Sequence, residues 1–193
     1  MDHKKGQGHQ TKVADRNNQI SELSCLYTNI DTMSNKKDEF ECRIRQSDPD
    51  IIGITEINPK NSQHQLIDKD LQLAGYNSYF NTEGRGVALY IKDIHTSVEV
   101  EIKDKGVTAW SEVSLQGKDS VIIGVVYRSP NSTAEENEQV VKVIRQAVSI
   151  GASHVIILGD FNYPDIQWQS QTVNASSDHP SHEFMDCIQD TFL

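Results

Sequence analysis

Four short runs of apolar and β-branched residues, each followed directly by polar side chains, constrain the fold of this chain most strongly. Runs of this kind predict strands that are buried on both faces of a sheet. The runs and the polar residues that follow them are 23–27 with Asn29, 51–54 with Glu56, 121–126 with Tyr127 and Asn131, and 155–159 with Asp160 and Asn162. Ligand sites in α/β sheets gather beyond the strand ends, so the pattern predicts one shared site.

The fourth run carries the clearest chemical signal. Side chains alternate along an extended segment, so Asp160 and Asn162 are expected on the same side. A carboxylate and a carboxamide placed together can orient a nucleophile or bind a hard cation. A strand that simply ends in a polar turn is the alternative. Recurrence over four runs favours a metal-assisted site with oxygen ligands, whereas the Cys and His residues lack zinc-ligand spacing.

The remaining patterns predict an α/β (α+β) sandwich. Residues 35–45 and 133–149 show helical apolar stripes, and strands outnumber helices between them. Residues 62–75 are expected to hold a short helix, and 182–190 a last helix. Gly84-Arg85-Gly86 has the composition of a hairpin turn, in which Arg85 is either a phosphate contact or a solvated turn residue.

Charge and composition limit the function classes. Eighteen basic against 28 acidic residues give a formal net charge of −10, which is unusual for a protein that binds nucleic acid. Cys25, Cys42 and Cys187 have no paired spacing and fit the thiols of a reducing, intracellular compartment. No apolar stretch reaches transmembrane length, and residues 1–19 lack a secretory h-region. We therefore expect neither a membrane span nor a secretory signal. Residues 1–20 are predicted to be disordered and 21–193 to form one domain.

The order of the motifs resembles that of the endonuclease/exonuclease/phosphatase superfamily, which includes apurinic endonucleases, DNase I-like nucleases and inositol polyphosphate phosphatases. Within it, the likeness is greatest to the endonuclease domain of non-LTR retrotransposons, and it covers roughly residues 23–193. The matching segments are CLYTN (25–29) with NKKDE (35–39), PDIIGITE (49–56), GRGVALYI (84–91), VYRSPN (126–131) and GDFNYPDIQW (159–168).

This resemblance implies a DNase I-like fold with two packed mixed β-sheets flanked by helices, and Mg²⁺-dependent hydrolysis of DNA phosphodiesters. Glu56 would be the direct ligand of Mg²⁺, or alternatively Mn²⁺, with Asn29 assisting. Asp160 would orient or deprotonate the attacking water. Three further residues would contact the phosphate: Tyr127, Asn131 and Asn162. DNA, an associated reverse transcriptase and a nuclear location would follow from the same resemblance.

One departure from the family pattern lowers the expected activity. The family ends its domain with a late-strand Asp and a terminal Ser-Asp-His, whereas Ser177-Asp178-His179 of this chain precedes the last predicted helix. We therefore predict a partial domain that lacks the last strands and is weakened or inactive as an endonuclease. The alternatives are a catalytically dead remnant that serves as a binding fragment, and a phosphatase of phosphorylated lipids or sugars.

Overall fold

The computed structural model describes residues 22–60, 66, 68–103 and 106–193, and its regular elements are short strands and helices. The helices are α1 Lys37–Ser47, α2 Asp68–Leu71, α3 Ala134–Ser149 and α4 Pro180–Asp190, with a 3-10 helix at Met33–Asn35. The strands are β1 Cys25–Asn29, β2 Ile51–Thr55, β3 Tyr76–Asn81, β4 Val87–Lys92, β5 Ser97–Glu99, β6 Val107–Ser114, β7 Ser120–Tyr127, β8 His154–Asp160, β9 Ile166–Gln167 and β10 Thr172–Val173.

Eight of these strands form two mixed four-stranded sheets. The first has the order β1-β2-β4-β3, in which only β1 and β2 run parallel. The second has the order β5-β6-β7-β8, in which only β7 and β8 run parallel. Strands β9 and β10 make a separate antiparallel ribbon. The predicted architecture of two packed mixed sheets is confirmed; the absence of further strands stays a prediction.

The two sheets pack face to face over an apolar layer. Ile51 and Leu89 of the first sheet and Val113, Ile123 and Val125 of the second belong to one buried cluster. Gly53 faces the second sheet closely, since a Cβ atom there would lie 2.9 Å from Cδ1 of Leu158. A side chain at position 53 would therefore require Leu158 to move.

Burial separates the four predicted strands into two pairs. Strands β2 and β7 are buried along nearly their whole length, as predicted. Strands β1 and β8 are only partly buried, and the prediction of burial on both faces is wrong for them. The reason is topological: each has a strand partner on one side only among the described residues, and therefore forms a sheet edge.

The helices cover the outer faces of the sandwich. Helix α1 packs Phe40 and Ile44 onto the first sheet, while α3 and α4 pack on the second. Helix α3 begins at a capping box: Thr133 Oγ1 accepts from the backbone N–H of Glu136 (3.2 Å), and the Glu136 carboxylate accepts from the N–H of Thr133 (2.7 Å).

Several predicted boundaries shift in the structure. The first helix begins at Lys37 rather than at residue 35, because a 3-10 turn occupies Met33–Asn35. In the predicted helix 62–75, only Asp68–Leu71 is helical among the described residues; 61–65 and 67 lie outside them. The last helix begins two residues early, at Pro180. The segment predicted to be disordered, 1–20, also lies outside the described residues. No helix in the described part of the chain has the length and apolarity to cross a membrane.

Candidate active site

The carboxyl ends of β1, β2, β7 and β8 meet at one edge of the sandwich. Parallel pairing aligns Asn29 with Thr55 in the first sheet and Tyr127 with Asp160 in the second. Across the sheets, Nδ2 of Asn29 donates to Oδ2 of Asp160 at 3.1 Å. Residues 131 positions apart are therefore joined at the edge where the sequence predicts a shared site.

Glu56 follows β2 directly and lies inside this edge, with 14% of its side chain exposed. Its backbone has a φ of +59°, a left-handed conformation that a non-glycine residue adopts at some cost. Burial raises the pKa of the carboxyl group, but hydrogen bonds with Arg85, Asn29 and Tyr127 outweigh it and lower the pKa below its ordinary value. Glu56 is therefore an anion at neutral pH and links three of the surrounding side chains.

Tyr127 ends β7 and is largely buried, 9% exposed. Its pKa is raised by burial and then by the negative charge of Glu56. The phenol therefore stays protonated at neutral pH and acts as a hydrogen-bond donor, with the Glu56 carboxylate as its acceptor.

Two charged residues of the site were not predicted in this role. The guanidinium Nη2 of Arg85 donates to Oδ1 of Asp31 at 2.6 Å and also to Oε2 of Glu56. Its side chain is only 13% exposed, so the interpretation of Arg85 as a solvated turn residue is wrong. Asp31 is 64% exposed and lies beside Asn29, whose Oδ1 accepts from the N–H of Asp31 at 3.1 Å.

A sequence signal for Asp31 existed. It stands two positions after Asn29, the same spacing that joins Asp160 to Asn162. No comparable signal identifies Arg85, because its partners lie 54 and 29 residues away along the chain.

Asn162 lies in the loop after β8, with a φ of +50°. Its Nδ2 donates to the backbone carbonyl of Arg128 at 2.7 Å, and Arg128 Nη1 donates to the carbonyl of Asn162 at 2.7 Å. The Arg128 guanidinium also bonds Asn137 Oδ1 (2.6 Å) and stacks 3.9 Å from the centre of the Tyr163 ring. One side-chain N–H of Asn162 thus links the loop after β8 to the segment that follows β7.

The structure does not bring Asn131 to the other candidates. It is exposed in the loop between β7 and α3. Among the described residues its one hydrogen bond runs from its backbone N–H to Oγ of Ser129, at 3.4 Å.

His179 has a structural position, and the prediction that its motif is not the family's terminal Ser-Asp-His stays a prediction. It is the N-cap of α4, where Nδ1 accepts from the backbone N–H of Ser181 at 3.3 Å. Its Nε2 lies 3.8 Å from Oδ2 of Asp165.

The donor chemistry at the edge suits a hard divalent cation. Glu56, Asp31 and Asp160 supply carboxylate oxygens, and Asn29 supplies an amide oxygen. Within the described ranges, however, no three acidic, His or Cys side chains are grouped so that they could hold one ion. Arg85 holds the position between Asp31 and Glu56. The ligand types fit a metal, and one guanidinium now pairs with two of them.

Two packed mixed sheets with flanking helices and a polar site at the strand ends define a DNase I-like α/β sandwich. The chain matches the Endonuclease/Exonuclease/phosphatase family over residues 26–192 and belongs to that family. The superfamily predicted from the motifs is thus confirmed.

Solved structures with this fold include several kinds of phosphoesterase. The endonuclease domain of TRAS1, a telomere-specific non-LTR retrotransposon, is 13% identical with a TM-score of 0.61, covering 88% of this chain and 71% of that one. The 3′ phosphatase NExo from Neisseria, bound to product DNA hairpin, is 15% identical with a TM-score of 0.56, covering 88% and 71%. The mannosyl-6-phosphatase Bt3783 from Bacteroides thetaiotaomicron is 11% identical with a TM-score of 0.50, covering 74% and 66%.

At these identities the similarity shows the fold alone. No curated protein matches the chain.

Proposed function

We propose that this chain hydrolyses phosphodiesters as a divalent-cation-dependent DNA endonuclease domain of retroelement type. The observation that carries the proposal is the hydrogen-bonded cluster of Asn29, Glu56, Tyr127 and Asp160, which four separate strand ends supply to one edge. The fold shared with the TRAS1 endonuclease domain and the motif resemblance support the retroelement assignment. An associated reverse transcriptase and nuclear action belong to the same proposal.

Glu56 and Asn29 would hold the cation, Mg²⁺ or Mn²⁺, with Asp31 as an additional oxygen donor. When bound, such an ion polarises a phosphoryl oxygen and stabilises the leaving oxygen. Glu56 is suited to this role because its lowered pKa keeps the carboxylate charged at neutral pH.

Asp160 would align the attacking water and accept its proton. The hydrogen bond from Asn29 Nδ2 fixes one oxygen of its carboxylate, which leaves the other oxygen for the water. Tyr127 would turn its single phenolic O–H from Glu56 to a phosphate oxygen and donate a hydrogen bond to the charge that develops there. Asn162 would donate through the N–H that Arg128 does not occupy, and Asn131 would contribute only if its loop moves toward the site.

Nicking of supercoiled plasmid by the purified 193-residue chain tests the proposal. Asp160→Ala should abolish nicking, and EDTA should do the same for the wild type. Asp186→Ala is the matched control, since Asp186 is an exposed aspartate on α4. Nicking that survives both EDTA and Asp160→Ala would contradict the proposal, as would a folded wild type that does not nick with Mg²⁺ or Mn²⁺.

A phosphatase of phosphorylated sugars or lipids is the second candidate. The net charge of −10 favours it, since a small phosphate ester meets less repulsion than a polyanion. Glu83, Glu135 and Glu136 also line the cavity beside Tyr127. Phosphate release from sugar and inositol phosphates, without plasmid nicking, would establish this candidate instead.

A catalytically dead binding fragment is the third candidate, favoured because the Arg85 guanidinium already pairs with both Asp31 and Glu56. It predicts a folded chain that releases no phosphate from any of these substrates but still retains DNA in a filter-binding assay.

A further inference from the structure

Arg85 occupies a position that a positively charged ligand would otherwise take. Its Nη2 lies between Oδ1 of Asp31, at 2.6 Å, and Oε2 of Glu56. Both carboxyl groups have lowered pKa values. For Asp31 the main cause is the hydrogen bond from Arg85. For Glu56 burial raises the pKa, but hydrogen bonds from Arg85, Asn29 and Tyr127 outweigh it. The protein itself therefore supplies one positive charge against the two carboxylates, which leaves a net charge of −1 on the three side chains.

The turn that carries Arg85 is built for this placement. Gly84 and Gly86 flank it with φ values of +54° and +66°, and a Cβ atom on Gly86 would lie 2.6 Å from Cγ1 of Ile57. Only glycine therefore fits at position 86, directly after Arg85.

Asn58 clamps the same turn from the end of β2. Its Nδ2 donates to the carbonyls of Thr82 (2.7 Å) and Gly84 (3.2 Å), and its backbone N–H donates to the carbonyl of Arg85 (2.9 Å). In return, Arg85 Nη1 donates to the carbonyl of Asn58 at 2.5 Å. A solvated turn residue would need none of these contacts.

Not every N–H group of the guanidinium has a hydrogen-bond acceptor within the described ranges. Its Nε is buried and has no hydrogen-bond partner among the described residues. A cavity of about 460 Å³ lies beside it, lined by Arg85 itself, Gly84, Tyr127, Ser129 and Gln139. Oε1 of Gln139, another residue that lines this cavity, is also buried without a partner in the described part of the chain. There is room, with an unused acceptor, for the side chain to move away from the carboxylates.

We infer that Arg85 is a resident counter-cation that competes with the divalent metal for Glu56 and Asp31. Metal binding displaces its guanidinium into the neighbouring cavity, and the apparent metal affinity is reduced by the cost of that displacement. This inference rests on the metal-dependent site proposed above. It adds that Arg85 sets the metal concentration at which the site fills. It also places a guanidinium released from the carboxylates beside Tyr127 once the metal is bound.

Metal binding without substrate tests the inference, with no need for catalysis. Free Mn²⁺ is followed by electron paramagnetic resonance in titrations of the wild type, Arg85→Met and Arg145→Met. Arg145 is the matched control, because it pairs with Asp190 at 3.0 Å on the exposed surface of α3 and α4. Removing the competing charge should tighten Mn²⁺ binding about tenfold or more in Arg85→Met, while Arg145→Met leaves it unchanged.

Equal or weaker Mn²⁺ binding by a folded Arg85→Met would overturn the inference and leave the proposed hydrolase intact, since the wild type would still bind metal and nick DNA. Absence of Mn²⁺ binding by both chains would overturn it together with the metal-dependent function.

A measurement on the wild type covers the case in which Arg85→Met does not fold. The Nε–H resonance of Arg85, identified by its loss in Arg85→Lys, is followed by ¹H–¹⁵N NMR while Mg²⁺ is added. Displacement predicts that this resonance shifts with the same midpoint as the amide of Glu56. A Glu56 amide that titrates beside an unmoved Arg85 Nε–H would overturn the inference.

Discussion

At the scale of single residues, the site depends on groups whose protonation the fold has fixed. Tyr127 is a protonated phenol directed at the Glu56 carboxylate, and Glu56 is an anion despite its burial. One donor and one acceptor are thus in place before any substrate arrives. Because the two groups bond each other in the free chain, the phenol has to exchange the carboxylate for a phosphate oxygen before it can stabilise charge there.

Tyr127→Phe tests the role of the phenol. We expect kcat for DNA cleavage to fall by about 10²-fold with little change in KM, because the lost donor would act on charge that develops only in the transition state. Tyr79→Phe is the matched control, since its hydroxyl bonds Ser97 Oγ at 2.8 Å in a partly buried setting on β3. Similar kcat values for the two variants would count against a phosphate contact by Tyr127.

The Glu56 carboxylate also predicts a pH dependence of stability. Its pKa is lower in the folded chain than its ordinary value of 4.5, so its stabilising contribution is complete above that value. The contribution is lost as pH falls through the lower, folded pKa. The difference in unfolding free energy between wild type and Glu56→Gln, measured by urea titration in EDTA, should therefore shrink between pH 6 and pH 3, roughly the window in which carboxylates titrate.

Glu183→Gln supplies the baseline for that series, because Glu183 is exposed on α4. A difference between wild type and Glu56→Gln that stays constant or grows on acidification would show that the Arg85 contact does not stabilise the fold.

At the scale of elements, the β3–β4 turn does more than connect two strands. It places Arg85 against the end of β2, and Gly86 is the residue that permits the contact with Ile57. Gly86→Ala should therefore cost more than the backbone strain of a left-handed alanine, which is roughly 1–2 kcal/mol. Overpacking against Ile57 should add about 1–3 kcal/mol to the loss of unfolding free energy.

Gly117→Ala isolates the backbone component of this cost. Gly117 has a φ of +69°, but a Cβ atom there would meet nothing within 4 Å. Chemical denaturation of both variants gives the comparison. Equal losses of stability would mean that the close approach of Gly86 to Ile57 is relaxed in solution.

Apolar runs predicted strands better than they predicted burial. β2 and β7 have neighbours on both sides and match the expectation, whereas β1 and β8 lie at edges. A run of β-branched residues reports local preference, and the number of neighbouring strands depends on the rest of the chain. Helix α3 was predicted closely because its cap and its apolar stripe are both local.

At the scale of the whole molecule, a site residue could be predicted from the sequence where it follows an apolar run at a strand end. Asn29, Glu56, Tyr127 and Asp160 each stand within two positions of the end of an apolar run, and the structure gathers all four. Asn131 and Arg85 were not placed by this reasoning, because their positions depend on how loops fold against distant elements. The roles of the six predicted residues in catalysis stay predictions.

The acidity of the chain is also a property of the whole molecule. With a net charge of −10, electrostatic attraction over the entire surface does not favour DNA. Positive charge near the site is local and comes from side chains such as Arg85 and Arg128. Under the proposed function a bound cation would add to it, and DNA binding is expected to depend on metal occupancy.

The most direct measurement is single-turnover cleavage of a labelled DNA duplex at saturating Mg²⁺ by the wild type, Glu56→Gln and the control Glu183→Gln. If the four strand ends form one hydrolytic site, Glu56→Gln should lose about 10²-fold or more in the cleavage rate, and Glu183→Gln should match the wild type. Cleavage by Glu56→Gln at the wild-type rate would contradict the account, since the residue that links Asn29, Tyr127 and Arg85 would then be dispensable.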